Sequence, residues 1–311
     1  MSEHDTEPPQ QVPSAHRPGP LGVWALAIRP KTLPAAAASV IIGTALAWYD
    51  GVFAPGPALA ALLIALLLQI GSNLANDVYD DERGADTTER LGPVRVTQSG
   101  LLSRAQVKRG MAVVFGAAFV LGLYLTWVRG PMVLVVGIAA IIAAIAYTGG
   151  PWPLGYHGLG EVFVFLFFGV TAVVGTYWVQ GGTPPLSAWL MSIPAGLLIV
   201  AILVVNNLRD IEQDRAAHKH TIAVRIGPAA TRMEYAMCVA GAYLVVALGV
   251  AFDVVPVHAM ASWLSIPLAY ATWRVVASRE GRPLNRALAL TGQTTLLFAI
   301  FFAVGMVVAG A

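Results

Sequence analysis

The chain carries two acidic stretches whose residue types and spacing could do chemistry. They are SNLANDVYDDERGAD at 72–86 and NNLRDIEQDRAAHKHT at 206–221. In each stretch an asparagine and two aspartates follow one another at intervals of four residues, and residues four apart lie on one face of a helix. The two sets share a constant offset of 133, which pairs Asn73, Asp77 and Asp81 with Asn206, Asp210 and Asp214. This match predicts a duplicated arrangement in which each stretch turns an amide and two carboxylates the same way.

Clustered carboxylates of this kind indicate a metal-bound diphosphate. They repel each other and resist ionisation unless a cation neutralises them. Mg²⁺ is the natural cation, because it takes oxygen ligands and usually keeps water and substrate phosphates in its shell. Two such clusters facing each other would hold a diphosphate between metal ions and stabilise it as a leaving group. The alternative is a solvated loop whose acids pair with the nearby arginines Arg83, Arg90, Arg209 and Arg215.

Basic and aromatic residues near these stretches could complete a binding site. Arg95 and Lys219 could grip phosphate oxygens, Arg as a bidentate donor and Lys as a point charge. Their alternative role is topological, since positive residues gather in cytoplasmic loops in any case. A third stretch, YTGGPWPLGYHGLGE at 147–161, offers acid, base and hydrogen-bonding groups, or is simply a tight turn between helices.

The composition places these stretches in a membrane protein. Of 311 residues, 57% are hydrophobic and 12% are charged, whereas a soluble domain is about 25% charged. This excludes a cytosolic globular enzyme, a disordered protein and a nucleic-acid binder. The single cysteine, Cys238, excludes an internal disulfide.

Hydropathy predicts about nine transmembrane helices, because a span needs about 20 mostly apolar residues. A proline-rich segment at 1–20 precedes them; we expect it to be a disordered tail rather than a signal peptide, followed by one transmembrane domain at 21–311. Of the 19 Lys and Arg residues, all but Arg129 fall on one side of this topology, which the positive-inside rule makes cytoplasmic. The predicted spans are 33–49, 57–75, 110–128, 131–148, 161–180, 186–206, 235–252, 258–276 and 289–311.

The motifs resemble those of a known family. NDVYDDERGAD and NNLRDIEQDRAAHKHTIAVRIG are similar to the two aspartate-rich motifs of UbiA-type intramembrane prenyltransferases. RPKTLPAA at 29–36, GPVRVTQSG at 92–100 and YTGGPWPLGYHGLGE are most like the branch that acts on 1,4-dihydroxy-2-naphthoate in menaquinone synthesis. The resemblance covers residues 29 to 227; beyond 230 only the hydropathy matches.

The resemblance implies an all-α, UbiA-like bundle with the acidic motif loops on the cytoplasmic side. It implies Mg²⁺ as the cofactor and places the first-motif ligands at Asn76, Asp80 and Asp86, where the repeat suggested Asn73, Asp77 and Asp81. Asp77 is kept as a further ligand, and the choice between Asp81 and Asp86 stays open. The predicted metal ligands are therefore Asn76, Asp77, Asp80, Asp86, Asn206, Asp210 and Asp214. The predicted catalytic residues are Asp80, Asp210, Asp214 and Lys219, and the predicted substrate-binding residues are Asn73, Arg95, Tyr147, Glu161, Arg209 and Lys219.

The expected activity is transfer of a polyprenyl group from a polyprenyl diphosphate to 1,4-dihydroxy-2-naphthoate. Diphosphate and CO2 leave, and the product is demethylmenaquinone. The expected location is the bacterial inner membrane, in contact with lipid and with no nucleic-acid partner. Alternatives are a UbiA-type enzyme with another aromatic acceptor, such as 4-hydroxybenzoate, and an ion-coupled membrane transporter. Acids at helix exits argue against a transporter, whose sites lie near the bilayer midplane.

Overall fold

A computed structural model describes residues 18–85 and 90–310, and this part of the chain is all-α. Residues 1–17 of the predicted tail therefore lie outside the described residues, and Asp86 does too. The α-helices are α1 Pro20–Ile28, α2 Leu33–Tyr49, α3 Pro55–Glu82, α4 Arg104–Arg129, α5 Met132–Ala146, α6 Gly160–Val164, α7 Ala172–Gln180, α8 Leu186–Ala216, α9 Ile222–Ala251, α10 Ile266–Ser278 and α11 Leu284–Gly310. Short 3-10 segments cover Pro30–Thr32, Leu154–His157 and Val257–Ser265, and a π-helical segment, Phe165–Thr171, joins α6 to α7.

The predicted membrane-spanning segments are helical, and seven helical stretches of the described chain are long and apolar enough to cross a membrane. Two of the seven consist of consecutive shorter helices, Pro20–Tyr49 and Gly160–Gln180. Two of the nine predicted spans do not form such a long helix. The segment predicted at 131–148 is the 15-residue helix α5. The one predicted at 258–276 begins as the 3-10 segment Val257–Ser265 before α10. The chain is thus an integral membrane protein, and about nine is an approximate helix count.

The two acidic motifs lie on helix ends rather than in loops. α3 continues to Glu82 and α8 to Ala216, several residues beyond the ends that hydropathy predicted. Polar residues in these last turns lower the local hydropathy without breaking the helix, because none of them is a proline. The motifs are therefore held rigidly as the last turns of two long helices.

The core packs around α8. Helix α8 is buried along most of its length, and a cluster of buried side chains joins it to α2, α7, α9 and α11. A second cluster joins α3 to α4. Gly169 of the π-helical segment lies against the backbone of Gly196 in α8, an approach that a side chain would obstruct. Large apolar residues such as Trp127, Leu244 and Tyr270 are exposed on the outside, as lipid contact requires.

Candidate active site

The ends of α3 and α8 open into one cavity of about 440 Å³. Its size is within the usual range for a small-molecule site. Its polar end carries residues from both motifs and from the loops that follow them: Asn73, Asn76, Asp80, Arg95, Tyr147, Asn206, Asp210, Asp214 and Lys219. Its apolar end is walled by α4, α5, the π-helical segment and α7, with Phe119, Leu125, Ile141, Phe167 and Trp178 among the lining side chains. Of the predicted site residues in the described chain, Asp77, Glu161 and Arg209 do not line it.

Asp80 is the point where three parts of the chain meet. Its Oδ2 accepts from Arg95 Nη2 at 2.9 Å. Its Oδ1 accepts from the Tyr156 hydroxyl at 2.8 Å and from Lys219 Nζ at 3.0 Å. The carboxylate is buried, and two cations compensate for the loss of water around it. Asp80 therefore joins the first motif to the segments that follow both motifs.

Asp77 has a different role from the predicted one. Its two carboxylate oxygens accept the backbone N–H groups of Val96 and Thr97 at 3.1 and 2.9 Å, and Arg29 lies 3.8 Å away. The side chain is 1% exposed and does not reach the cavity. Asp77 thus fixes the segment that carries Arg95 from a position outside the cavity, and its predicted role as a metal ligand stays a prediction.

The second motif presents its aspartates to the cavity and keeps its arginine out of it. Asp210 and Asp214 lie one turn apart on α8, and both line the cavity. Arg209 forms a fork on Asp210, with Nε–Oδ1 and Nη2–Oδ2 distances of 2.7 and 2.5 Å, and its side chain is 1% exposed. Nη2 also donates to Asn206 Oδ1 at 2.8 Å. Arg209 thus holds Asp210 and Asn206 within the motif, and its predicted role in substrate binding stays a prediction.

The third stretch closes over the first motif. Arg83 donates from Nε to the carbonyl of Thr148 at 3.2 Å, and its Nη2 donates to the carbonyl of Gly150. The Thr148 hydroxyl donates to Asn76 Oδ1 at 3.0 Å. Burial raises the pKa of the Tyr147 hydroxyl above its usual range, and the carboxylate of Glu161 adds to the shift. Tyr147 therefore stays protonated and can act as a hydrogen-bond donor at the cavity wall.

The remaining predicted residues have mainly structural contacts. Asn73 donates from Nδ2 to the carbonyl of Ile28 at 2.8 Å and to the Thr32 hydroxyl at 2.9 Å, while it also lines the cavity. Glu161 accepts from Asn207 Nδ2 at 2.9 Å, just behind the cavity wall. Tyr156 is not among the predicted site residues, although it lies in the stretch at 147–161 that offers acid, base and hydrogen-bonding groups.

The oxygen donors of the cavity fit a hydrated divalent cation. No group of three or more His, Cys, Asp or Glu in residues 18–85 and 90–310 is arranged to chelate a metal alone. Mg²⁺ does not require one, because it is commonly bound through one or two carboxylates with water and substrate phosphates in the remaining positions. Asp210 and Asp214 supply such carboxylates. The fork of Arg209 occupies only part of the lone-pair capacity of Asp210, so that carboxylate can still accept a cation.

Comparison with known proteins agrees with this architecture. Residues 36–289 match the UbiA prenyltransferase family. The chain is 41% identical to a 1,4-dihydroxy-2-naphthoate octaprenyltransferase of Escherichia coli strain K12, over 78% of this chain and 79% of the relative. It is 37% identical to the enzyme of that name from Haemophilus influenzae, over 93% and 96% of the two chains.

A solved structure has the same fold. It is a UbiA homologue from Archaeoglobus fulgidus bound to DMAPP and Mg²⁺, with a TM-score of 0.66 and 15% identity over 92% of this chain and 99% of the homologue. The sequence match covers most of the chain, including both acidic motifs and the helices that carry them. The chain therefore belongs to the UbiA prenyltransferase family.

Proposed function

We propose that this chain transfers a polyprenyl group from a polyprenyl diphosphate to 1,4-dihydroxy-2-naphthoate in menaquinone biosynthesis. The observation that carries the proposal is the single cavity whose polar end holds carboxylates and cations and whose other end is apolar. A polyprenyl diphosphate has the same two parts. The activity named for the relatives from E. coli and H. influenzae supports the naphthoate as acceptor.

The polar end is suited to the diphosphate and to Mg²⁺. The oxygen donors that would hold the metal are Asn76, Asp80, Asn206, Asp210 and Asp214. When bound, Mg²⁺ would neutralise charge on the diphosphate and make it a better leaving group. The Mg²⁺ and DMAPP in the Archaeoglobus homologue support this cofactor. Lys219 and Arg95 add positive charge at the same end, where both now neutralise Asp80.

The rest of the cavity protects and orients the reacting groups. Side chains such as Phe167 and Trp178 enclose the apolar end, which excludes water from the allylic cation that develops when diphosphate leaves. Tyr147, kept neutral, can donate a hydrogen bond to the acceptor. The naphthoate carbon that carries the carboxylate then forms a bond to carbon 1 of the prenyl chain. Its bond to the carboxylate breaks as CO2 leaves, the electron pair of that bond returns to the ring, and the two ring hydroxyls are unchanged.

Acceptor choice is the direct test of the proposed function. Purified protein in detergent, given Mg²⁺ and a labelled polyprenyl diphosphate, is expected to prenylate 1,4-dihydroxy-2-naphthoate and to release one CO2 and one diphosphate per product. Carboxyl-labelled acceptor measures the CO2, and 4-hydroxybenzoate serves as the competing acceptor. A clear preference for 4-hydroxybenzoate would contradict the naphthoate assignment while leaving the family membership intact.

We also propose that the protein lies in the bacterial inner membrane with the cavity's polar end facing the cytoplasm. Arg129, the one basic residue outside the predicted cytoplasmic side, donates to the carbonyl of Val179. Both residues lie at helix ends next to short, nearly uncharged loops. Five basic residues line the cavity, and the positive-inside rule favours the cytoplasm for the side on which they lie: Arg29, Lys31, Arg90, Arg95 and Lys219.

Cysteine labelling tests this orientation. In a Cys238→Ser background, the exposed residues Thr183 and Ser278 are each replaced by cysteine. A membrane-impermeant maleimide is expected to label Thr183→Cys in intact spheroplasts and Ser278→Cys only after the membrane is permeabilised, because the two positions lie on opposite sides. Labelling of both without permeabilisation would refute the proposed topology.

A further inference from the structure

Asn285 stands far from both motifs in sequence but is hydrogen-bonded to the residues that surround them. It lies in the first turn of α11. Its Oδ1 accepts from Arg209 Nη1 at 2.7 Å, and its Nδ2 donates to the carbonyl of Leu91 at 2.8 Å. A guanidinium only donates and a carbonyl only accepts, so the amide has one possible orientation. Asn285 therefore links two specific partners and is not interchangeable with a residue that only donates or only accepts.

The first link leads to the second motif. Arg209 donates from Nη1 to Asn285 and directs its other donors to Asp210 and Asn206. Its guanidinium is planar and rigid, so fixing one edge fixes the other. Asp210 lines the cavity while Arg209 does not. The contact with Asn285 thus fixes the Arg209 guanidinium, which in turn orients the Asp210 carboxylate.

The second link leads to the segment after the first motif. Leu91 belongs to residues 90–103, which also carry Arg95, the partner of Asp80. The backbone packs closely on Arg209 here, since a Cβ at Gly92 would lie 3.0 Å from Arg209 Nη2. Asp77 anchors the same segment further along, at Val96 and Thr97. Asn285 and Asp77 therefore hold the two sides of Arg95.

We propose that Asn285 is a positioning residue of the transferase. It orients Asp210 through Arg209 and places Arg95 through Leu91. Asn285 thereby fixes the position of the Asp210 carboxylate relative to Arg95, the cation that neutralises Asp80. This inference rests on the proposed function, because it assigns both groups to diphosphate binding. If Asn285 had a purely structural role, its substitution would lower the stability of the protein, and loss of the Arg209 link or of the Leu91 link would have the same effect on Mg²⁺ and diphosphate binding.

Two substitutions separate the links. Asn285→Leu is similar in volume and removes both hydrogen bonds. Asn285→Asp keeps an acceptor for Arg209 but cannot donate to Leu91. Arg286→Gln is the matched control, because Arg286 is the next residue of the same helix and is exposed.

The kinetic expectation differs for each variant. Asn285→Leu should raise both the KM for polyprenyl diphosphate and the half-saturating Mg²⁺ concentration by roughly tenfold, the effect of losing one hydrogen bond to a charged group. Asn285→Asp should raise the KM but keep the half-saturating Mg²⁺ close to that of the wild type. Arg286→Gln should leave both unchanged. Values within about twofold of the wild type for Asn285→Leu, or an equal loss of Mg²⁺ response in both Asn285 variants, would overturn the proposal.

A measurement that needs no turnover separates this proposal from the proposed function. Mg²⁺ with inorganic diphosphate should raise the Tm of the purified wild type most, that of Asn285→Asp less, and that of Asn285→Leu least. If the wild type transfers no prenyl group but shows this pattern, the proposed function fails and the positioning role stands. An equal rise in Tm for all three proteins would overturn the positioning role, whatever the activity.

Discussion

Asp214→Asn is expected to lower the rate of prenyl transfer by about two to three orders of magnitude, and Asp210→Asn by a similar factor. The substitution removes a charge but hardly any volume. Both carboxylates line the polar end of the cavity. Stabilisation of a departing diphosphate by a metal contributes several kcal/mol, and each 1.36 kcal/mol corresponds to about tenfold in rate. Raising the Mg²⁺ concentration should restore part of the rate in a variant that has lost only metal affinity.

Glu212 supplies the matched control on the same helix. It lies between the two aspartates in sequence, its side chain is 81% exposed, and it pairs with Arg215 at 2.8 Å. An exposed pair of this kind is worth about 0 to 1 kcal/mol. Glu212→Gln should therefore keep near-normal turnover at limiting Mg²⁺. Near-normal turnover in the Asp210 and Asp214 variants as well would make these carboxylates ordinary surface charges and end the proposed mechanism.

The sequence predicts the fold of this chain well because apolar length is a local property. A run of about 20 apolar residues identifies a span without reference to any partner, and this is why the predicted segments coincide with helices. The ends are harder to predict. The last turns of α3 and α8 are polar but remain helical, so the motifs extend two rigid helices rather than lie in loops.

Residue spacing predicts which side chains reach the cavity only where residues of one helix determine their direction. Asp210 and Asp214 are four residues apart, and both reach the cavity as a helix face requires. The same argument placed Asp77 in the site, but its carboxylate is taken by two backbone N–H groups about 20 residues further along the chain. Asn76, Asp80, Asn206 and Asp210 instead all line the cavity, and these two pairs have an offset of 130 in place of 133.

The residues that could not be predicted from the sequence make contacts between elements that are far apart along the chain. The hydroxyl of Tyr156 reaches Asp80 across 76 residues, and Asn285 reaches Arg209 across the same separation. Neither residue has a neighbour in sequence that reveals its partner. Tyr156 lies in a glycine-rich run, which is a weak signal, whereas Asn285 lies in the run RPLNR, which gives none.

Lys219→Met is expected to lower turnover by roughly thirtyfold or more. Lys219 Nζ lies 3.0 Å from Asp80 Oδ1 and 4.6 Å from the centre of the Tyr156 ring, and its side chain is 15% exposed. Removing one member of such a buried pair typically costs about 2 to 5 kcal/mol, which corresponds to at least a factor of about 30 in rate if the loss falls on the transition state. Methionine keeps much of the volume and the flexible stem. Arg95 still neutralises Asp80, so the variant should fold.

Lys108 has the same kinds of contact outside the cavity and therefore tests whether location decides the effect. Its Nζ lies 2.6 Å from Glu82 Oε1 and 5.5 Å from the centre of the Tyr79 ring, but its side chain is 44% exposed. Solvent screens this pair, so Lys108→Met should change turnover by less than about threefold. Steady-state rates of both variants, measured with saturating Mg²⁺ and naphthoate, check the contrast. Equal effects of the two substitutions would contradict a role of Lys219 at the cavity, because Lys219 lines the cavity and Lys108 does not.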